Sequence, residues 1–353
     1  MKKNALIFVL ITILSIILTA CSDQDMGEKQ SSSPTKETVF TPSNKYNNEL
    51  TGVTLSIGTA SSDLAQSILV AAGLDNTPYK VDYHQLRGGN LVLEAIAAGQ
   101  IDAGSGSQIP PIFASLSKNG GNFKIIAIRK GNTLNQELIV SPQAKDSIKT
   151  VADLKGKKVA YVKNTTAQYF LYKMLTDAGL KWEDIDSLPM TTSDGLSAVV
   201  TGDVDALASY DQSIIQAKEN GAVTLRSAED VLSGDFYWYA AFNTINDPAK
   251  HAALVDYLER INEADEWARQ HPDEWAQAYA KETNQKVEDY KRIFEAGEKQ
   301  RKGRIAPVDS ATIASEQDII DSFYKLGALK QNIDAASLFD RSFDKEISNF
   351  KVY

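Results

Sequence analysis

The chain has 353 residues, with 37 Lys or Arg against 46 Asp or Glu, and a formal net charge of −9 at pH 7. Its basic residues are scattered and form no stripe that would neutralise phosphates, which excludes nucleic acid as a partner. Cys21 is the only cysteine, so a disulfide, a cysteine-based metal site and a second thiol that could act as a nucleophile are excluded as well.

The N-terminus has the pattern of a secretory signal. Lys2 and Lys3 precede an uncharged, mostly apolar run over residues 5–20, and small residues lead up to Cys21. This arrangement resembles a bacterial lipoprotein signal, in which the cysteine is lipidated, for example with palmitate, and becomes the mature N-terminus. The alternative is a single transmembrane anchor, which needs roughly 20 apolar residues. We therefore predict a signal peptide over 1–20 and a lipid-anchored protein on the extracytoplasmic face of a bacterial membrane.

The next segment predicts a tether that leads to two lobes. Residues 21–48 are rich in Ser, Gln, Lys, Glu, Pro and Asn and poor in apolar residues, which indicates disorder. About 305 residues follow, more than one compact core usually holds. The predicted boundaries are 49–135 for the first part of lobe 1, 136–235 for lobe 2, and 236–353 for a return to lobe 1 with a helical C-terminal tail.

Two parts of the chain repeat one pattern. The segments that begin at Leu93 and Leu196 share residues at matching positions, namely Leu93/Leu196, Ala95/Ala198, Gly99/Gly202, Asp102/Asp205 and Ala103/Ala206. Each segment predicts a short helix, a glycine stop and a strand. Upstream, each half predicts a strand, a hydroxyl-rich turn and a helix closed by Gly73 or Gly179. Two similar α/β units indicate two lobes with a cleft between them.

The remaining elements complete an α/β prediction. Apolar, β-branched segments alternate with helix-like segments in both halves, which is typical of a sheet covered by helices. We predict a two-lobe fold of the type II periplasmic-binding-protein kind, each lobe a mixed sheet flanked by helices, with the ligand cleft between the lobes. The chain is expected to cross between the lobes within 134–149 and 236–243.

An apolar stripe at helical spacing follows Pro248, and it consists of Leu254, Tyr257, Leu258, Ile261, Ala264 and Ala268. This helix is expected to pack back on lobe 1, because the chain has already returned there.

Three segments carry a resemblance to a known family: residues 89–116, with an AxxAGxIDxG run, residues 147–180, with DLKGKKVA, and residues 199–212. They resemble the periplasmic-type substrate-binding proteins of ABC transporters, in the branch for aliphatic sulfonates and taurine, whose relatives bind nitrate or thiamine-precursor pyrimidines. The likeness covers about residues 50–345. It implies a protein that binds a small anion by hinged closure of its lobes and delivers it to ABC permease subunits.

The chemistry of such a ligand points to particular residues. A sulfonate is a permanent anion with three acceptor oxygens, which are best met by N–H groups at helix N-termini and by hydroxyls. Arg87 can add a bidentate contact. It either binds the ligand or forms a surface salt bridge. Three turns supply the other candidates, which are Thr59, Ser61 and Ser62, then Gly88, Gly89 and Asn90, then Asn164, Thr165 and Thr166.

Within these turns, Ser61, Asn90 and Thr166 either only cap their helices or also touch the ligand. The glycines at 88 and 89 would let the backbone approach the ligand closely.

The further candidates for the cleft wall are Ser107, Gln108, Tyr210, Asp211 and Trp238. Ser107 and Gln108 follow a strand and either face the cleft or form a structural turn. Tyr210 and Asp211 hold the matching place in the second unit, and Asp211 either accepts a hydrogen bond from a ligand amine or guanidinium or caps the next helix. Trp238 belongs to an aromatic cluster that can pack on an alkyl or aryl tail, although alternation places half of that cluster in the core.

No motif for catalysis, a cofactor or a metal is present: the sequence lacks H-E-x-x-H, a P-loop and G-x-S-x-G, and its three histidines lack metal-ligand spacing. We expect a monomer that is not an enzyme and has no cofactor. The enzymatic alternative is a desulfinase of similar fold, which uses a cysteine near an Arg-Gly-Gly motif, but here Arg87 is followed by two glycines without a second cysteine. A lipoprotein sensor that presents the ligand to a membrane receptor would use the same cleft.

Overall fold

The structure is a computed structural model that describes residues 50–60, 65–86, 88–117, 121–283 and 286–352. The predicted signal peptide, the tether and Cys21 lie outside the described residues, and so do Ser61, Ser62 and Arg87. Within the described ranges, no helix is long and apolar enough to cross a membrane.

The regular elements alternate along the chain. The strands are β1 (Thr54–Ala60), β2 (Lys80–Leu86), β3 (Ala103–Ser107), β4 (Phe123–Lys130), β5 (Gln136–Val140), β6 (Lys158–Tyr161), β7 (Asp186–Pro189), β8 (Ala206–Tyr210), β9 (Val223–Ser227), β10 (Asp235–Ala241) and β11 (Arg304–Ala306). The α-helices are α1 (Ala65–Ala71), α2 (Gly89–Ala97), α3 (Ile109–Ser115), α4 (Thr166–Asp177), α5 (Thr192–Thr201), α6 (Gln212–Glu219), α7 (Phe242–Asn246), α8 (Pro248–Gln270), α9 (Pro272–Thr283), α10 (Val287–Gln300), α11 (Ser310–Lys325) and α12 (Asp344–Ile347).

The strands form two mixed sheets. The first has the order β11-β4-β10-β3-β1-β2, with β1 parallel to β2 and β3 and with β10 antiparallel to β3 and β4. The second has the order β7-β6-β8-β5-β9, with β6 parallel to β7 and β8 and with β5 antiparallel to β8 and β9. The predicted two-lobe architecture with a mixed sheet in each lobe is confirmed.

The sequence repeat corresponds to this shared topology. In each lobe two parallel strands flank the first strand of the unit, and an antiparallel strand, β10 or β5, follows in the sheet. That antiparallel strand is supplied by the chain after it has crossed from the other lobe. Each lobe is therefore completed by a strand that lies outside its own repeat.

The repeated aspartate holds the strands of each unit together. The Oδ2 atom of Asp102 accepts a hydrogen bond from the backbone N–H of Ser56 at 2.9 Å, and the N–H of Asp102 donates to the Ser56 carbonyl at 2.8 Å. Asp205 makes the same pair of bonds with Lys158, both at 2.9 Å. The most recognisable position of the repeat thus has a structural role in both lobes.

The predicted helix ends and the C-terminal stripe are confirmed. The glycines that close the four repeat helices, Gly73, Gly99, Gly179 and Gly202, all have φ between 69° and 83°, in the left-handed region that favours glycine. The stripe on α8 is buried at every predicted position. These residues form one hydrophobic core with residues of β1 and with Trp238 of β10. Helix α8 thereby covers one face of the first sheet.

The chain crosses between the lobes earlier than the predicted ranges 134–149 and 236–243. Residues 136–140 already form β5 in the second sheet, and 235–241 already form β10 in the first, because these apolar stretches pair with neighbouring strands. The connecting segments are 131–135 and 228–234. They touch each other, since the Gly131 N–H donates a hydrogen bond of 3.0 Å to the Gly234 carbonyl.

Candidate functional site

The strand directions define the two facing edges of the cleft. In the first sheet β1, β2, β3 and β4 end, and β10 begins, at one edge, which we call the first cleft edge. In the second sheet β6, β7, β8 and β9 end, and β5 begins, at the second cleft edge. Both connecting segments run between these edges. Ligands of open α/β sheets bind at the carboxyl ends of the strands, so the two edges face the candidate site.

Backbone strain is concentrated at the second cleft edge. Among the described residues, three residues other than glycine have positive φ: Asn135 at 56°, Asn164 at 57° and Asp211 at 53°. They lie directly before β5, just after β6 and directly after β8, and these strands are neighbours in the sheet. We call these residues the strained triad. Such conformations cost about 1 kcal/mol or more and cluster at binding sites.

Hydrogen bonds join two members of the strained triad and two of their neighbours. The Asp211 N–H donates to the Asn135 carbonyl at 2.9 Å. The Thr166 hydroxyl donates to the side chain of Gln136, beside Asn135, at 2.7 Å. Asn135 was missed in the sequence, where the only available signal is the tolerance of asparagine for positive φ.

The hydroxyls of the 164–166 turn are largely used within the protein. Thr165, and not Thr166, occupies the N-cap of α4: its oxygen accepts from the Ala167 N–H at 3.2 Å and its hydroxyl donates to the Val162 carbonyl at 2.7 Å. The Asn164 N–H is taken by the side chain of Gln168 at 2.7 Å. Capping shifts by one residue because Thr165 has the extended backbone that an N-cap requires and Thr166 is already helical.

Asp211 does not cap the next helix. Its backbone has φ 53° and ψ −132°, and its carboxylate makes no capping hydrogen bond to α6. The residue is exposed, yet the surrounding protein raises the pKa of its carboxyl by desolvation. Burial also raises the pKa of the neighbouring Tyr210 phenol, and the charge of Asp211 adds to that, whereas a hydrogen bond with Thr165 acts in the opposite direction. The Asp211 carboxylate therefore does not serve as a helix cap.

The first cleft edge presents the glycine-rich start of α2. Gly88 occupies the N-cap position with φ 134° and ψ 154°, a conformation that needs glycine, and Asn90 is the second residue of the helix and not its cap. A Cβ at Gly89 would lie 3.1 Å from Pro110 and 3.5 Å from Gly106. The glycine at 89 therefore permits close packing of α2 on the end of β3.

Several candidates at this edge serve the interior of lobe 1. Thr59 is only 4% exposed. Gln108 is 2% exposed, and its amide donates to Tyr237 and accepts from Ser233, both at 2.9 Å. Ser107 is half-buried, and its carbonyl accepts from the Tyr239 hydroxyl at 2.5 Å. The structure therefore leaves Gln108 in the core.

Trp238 is also not brought to the cleft. It is 1% exposed and its ring packs edge-on against Tyr257 of α8 at 5.7 Å. The alternation of β10 directs Trp238 to the sheet face that α8 covers, and Tyr237 and Tyr239 belong to the core on the other face. From the aromatic cluster only Phe236, at 42%, is exposed.

An open cavity of about 920 Å³ borders the second cleft edge. It is lined by Val162, Lys163, Pro189, Met190, Thr191, Thr192, Asp194, Ala198, Asp203 and Tyr210. All of these residues belong to the second lobe. Among the predicted site residues that the structure describes, Tyr210 alone lines the cavity. The start of α5 was missed, although Thr191 followed by Asp194 is a capping pattern that marks a helix N-terminus.

Comparison with known proteins identifies the family of this chain. The model of the family described as NMT1/THI5 like matches residues 71–275, which includes β2 to β10 and the whole second sheet. The chain belongs to the NMT1/THI5-like family.

Two relatives are named for the binding of aliphatic sulfonates. One, from Escherichia coli, is 35% identical over 160 residues, or 45% of this chain and 49% of the relative. The other, from Bacillus subtilis, is 25% identical over 271 residues, or 76% of this chain and 78% of the relative. The chain therefore spans about half the length of the first relative and most of the second.

Solved structures have the same architecture. The periplasmic aliphatic sulphonate binding protein of Escherichia coli superposes with a TM-score of 0.73 at 25% identity, covering 81% of this chain and 92% of that one. A desulfurization enzyme superposes with a TM-score of 0.60 at 14% identity, covering 84% and 99%. The second likeness concerns the fold alone.

Proposed function

We propose that this protein is the extracytoplasmic solute-binding component of an ABC importer, and that it closes its lobes on a small organic anion, an aliphatic sulfonate or taurine. The observation that carries the proposal is the two-lobe fold with facing strand ends, shared with a sulphonate binding protein at a TM-score of 0.73. Closure would be driven by contacts that the ligand makes only when both lobes touch it.

The proposed site combines groups from both edges. On lobe 1 we assign the start of α2 with Gly88, Gly89 and the adjacent Arg87 to the anionic group, because helix N-termini and guanidinium groups bind such anions. On lobe 2 we assign the strained triad and Tyr210, which supply hydrogen-bonding groups and an aromatic face. Thr165 and Thr166 support this region through their internal bonds.

Binding without chemistry is the better proposal. The desulfinase alternative requires a cysteine nucleophile, and the only cysteine of this chain is Cys21 in the predicted lipid site. A likeness to an enzyme at 14% identity concerns fold and not reaction.

A matched ligand pair tests the proposed function. Butanesulfonate at a concentration 100 times its dissociation constant should stabilise the folded protein by about 2.7 kcal/mol in a thermal-shift measurement. Butanesulfonamide, which has the same tail without the charge, should give no shift. Taurine, nitrate and a pyrimidine complete the panel. Stabilisation by nitrate or the pyrimidine without any by a sulfonate would contradict the assigned ligand class.

We also propose that lipid on Cys21 anchors the protein outside the cytoplasmic membrane. The support is the basic start, the apolar run and the small residues before this cysteine. Metabolic labelling with a fatty-acid analogue should mark the wild-type chain, and Cys21→Ser should abolish the label because no other thiol is available. Label that persists in the variant would refute the anchor.

A further inference from the structure

A buried carboxyl group on α11 is linked by hydrogen bonds to one of the connecting segments. Glu316 of α11 is 0% exposed; its Oε2 atom accepts a hydrogen bond from the Tyr237 hydroxyl at 2.9 Å, and its Oε1 atom has no partner among the described residues. Tyr237 in turn accepts from Gln108, whose amide oxygen accepts from Ser233 at 2.9 Å. A chain of hydrogen bonds thus leads from Glu316 to the residue before Gly234.

Helix α11 also contacts the residue that precedes the other connecting segment, 131–135. Lys130, the last residue of β4, contacts Asp235 at 3.0 Å and Thr312 of α11 at 2.9 Å, and Asp309 lies 3.7 Å from its Nζ atom. Segment 131–135 starts at the next residue. Helix α11 therefore contacts Lys130, at the start of one connection, through Thr312, and Glu316 links it to Ser233 of the other connection through Tyr237 and Gln108.

Helix α11 also contacts helix α4 of lobe 2. Asp318 accepts from the Tyr169 hydroxyl of α4 at 2.6 Å and from Lys173 at 3.0 Å. The N-terminus of α4 lies at the second cleft edge, where Thr165 caps it. A change in how α11 holds the connections would therefore reach the ligand-facing end of lobe 2 through packed elements.

We propose that Glu316 controls the hinge through its protonation: when it is uncharged, it keeps α11 and both connecting segments in the arrangement described here, and when it is ionised, it loosens them and favours closure of the lobes. This goes beyond the proposed function, because it concerns how the lobes move and not what they bind.

The surroundings of Glu316 support this role. The charged and titratable groups that face it are Tyr237, Tyr239 and Asp235 from β10, Tyr169 from α4, and, through Asp235, Lys130 from β4. Burial raises the pKa of Glu316 to about 8, with a further increase from Asp235, and the hydrogen bond from Tyr237 acts in the opposite direction. Because the pKa of Glu316 is raised in the folded protein, neutral Glu316 contributes its full stabilisation at pH values below the ordinary pKa of a glutamate. This stabilisation is lost as the pH rises through about 8.

A ligand-free measurement tests the inference. Spin labels on cysteines placed at the exposed Val70 of lobe 1 and Val223 of lobe 2, in a Cys21→Ser background, report the distance between the lobes. Between about pH 6 and about pH 9 the wild-type distance should shift toward a shorter population. Glu316→Gln keeps an acceptor for Tyr237 without the charge and should hold the low-pH distance throughout. Glu219→Gln, an exposed carboxyl on α6, should behave as wild type.

Two further readouts keep the test decisive. Tyr237→Phe removes the bond that lowers the pKa of Glu316, so it should move the transition to higher pH. The affinity for butanesulfonate, which does not titrate in this range, should rise at least about fivefold with pH in wild type and stay constant in Glu316→Gln. No wild-type distance change, or the same change in Glu316→Gln, would overturn the inference. Failure of butanesulfonate to bind, with the distances as expected, would count against the proposed function alone.

Discussion

Replacing Gly234 by alanine should destabilise the protein by about 2 to 4 kcal/mol, because two separate costs add at this position. Gly234 has φ 70°, a conformation that costs an alanine about 1 kcal/mol. In addition, the new Cβ would lie 2.5 Å from the carbonyl oxygen of Gly131, so the backbones of the two connecting segments would have to separate. Urea denaturation at constant pH measures the loss.

Gly179 provides a matched control for this variant. Its φ of 76° is close to that of Gly234, and nothing lies within 4 Å of a Cβ built on it. Gly179→Ala should therefore cost only the conformational term, about 1 kcal/mol. The difference between the two variants gives the cost of the clash. Equal losses would mean that the connecting segments separate freely and that the Gly131–Gly234 contact does not constrain the hinge.

Replacing Arg87 by alanine should weaken ligand binding by roughly 1.5 to 3 kcal/mol, or about 10- to 150-fold in dissociation constant. Arg87 directly precedes the glycine-rich start of α2, where the anionic group is proposed to bind. The expected loss is that of a charged hydrogen bond. Calorimetric titration with the best ligand of the panel measures it.

Arg292 is a suitable control, since its side chain is 69% exposed on α10 in a surface ion pair with Asp289. Arg292→Ala should leave the dissociation constant unchanged, because exposed surface pairs contribute little. If Arg87→Ala bound as tightly as Arg292→Ala, Arg87 would be a surface residue without a role in binding.

Local signals in the sequence were sufficient for the architecture. The repeated helix, glycine and strand predicted two similar lobes, because a left-handed C-terminal residue and a change of hydrophobic period are properties of short segments. The apolar stripe on α8 predicted its buried face for the same reason. The repeat did not reveal the role of its aspartate, since the bonds from Asp102 to Ser56 and from Asp205 to Lys158 join residues that are distant along the chain.

Only the tertiary structure decided which polar and aromatic residues face the cleft. Trp238 and Gln108 were predicted to line the cleft wall. Trp238 instead lies on the sheet face that α8 covers, and Gln108 is buried in a hydrogen-bond chain that starts at Glu316. Asn135 gave almost no signal, and its position beside Asp211 arises because β5 crosses from the other lobe to pair with β8. Sequence fixes the period of an element and the chemistry of its caps. Which face is covered, and which strand ends meet, depends on the partner that each element finds in space.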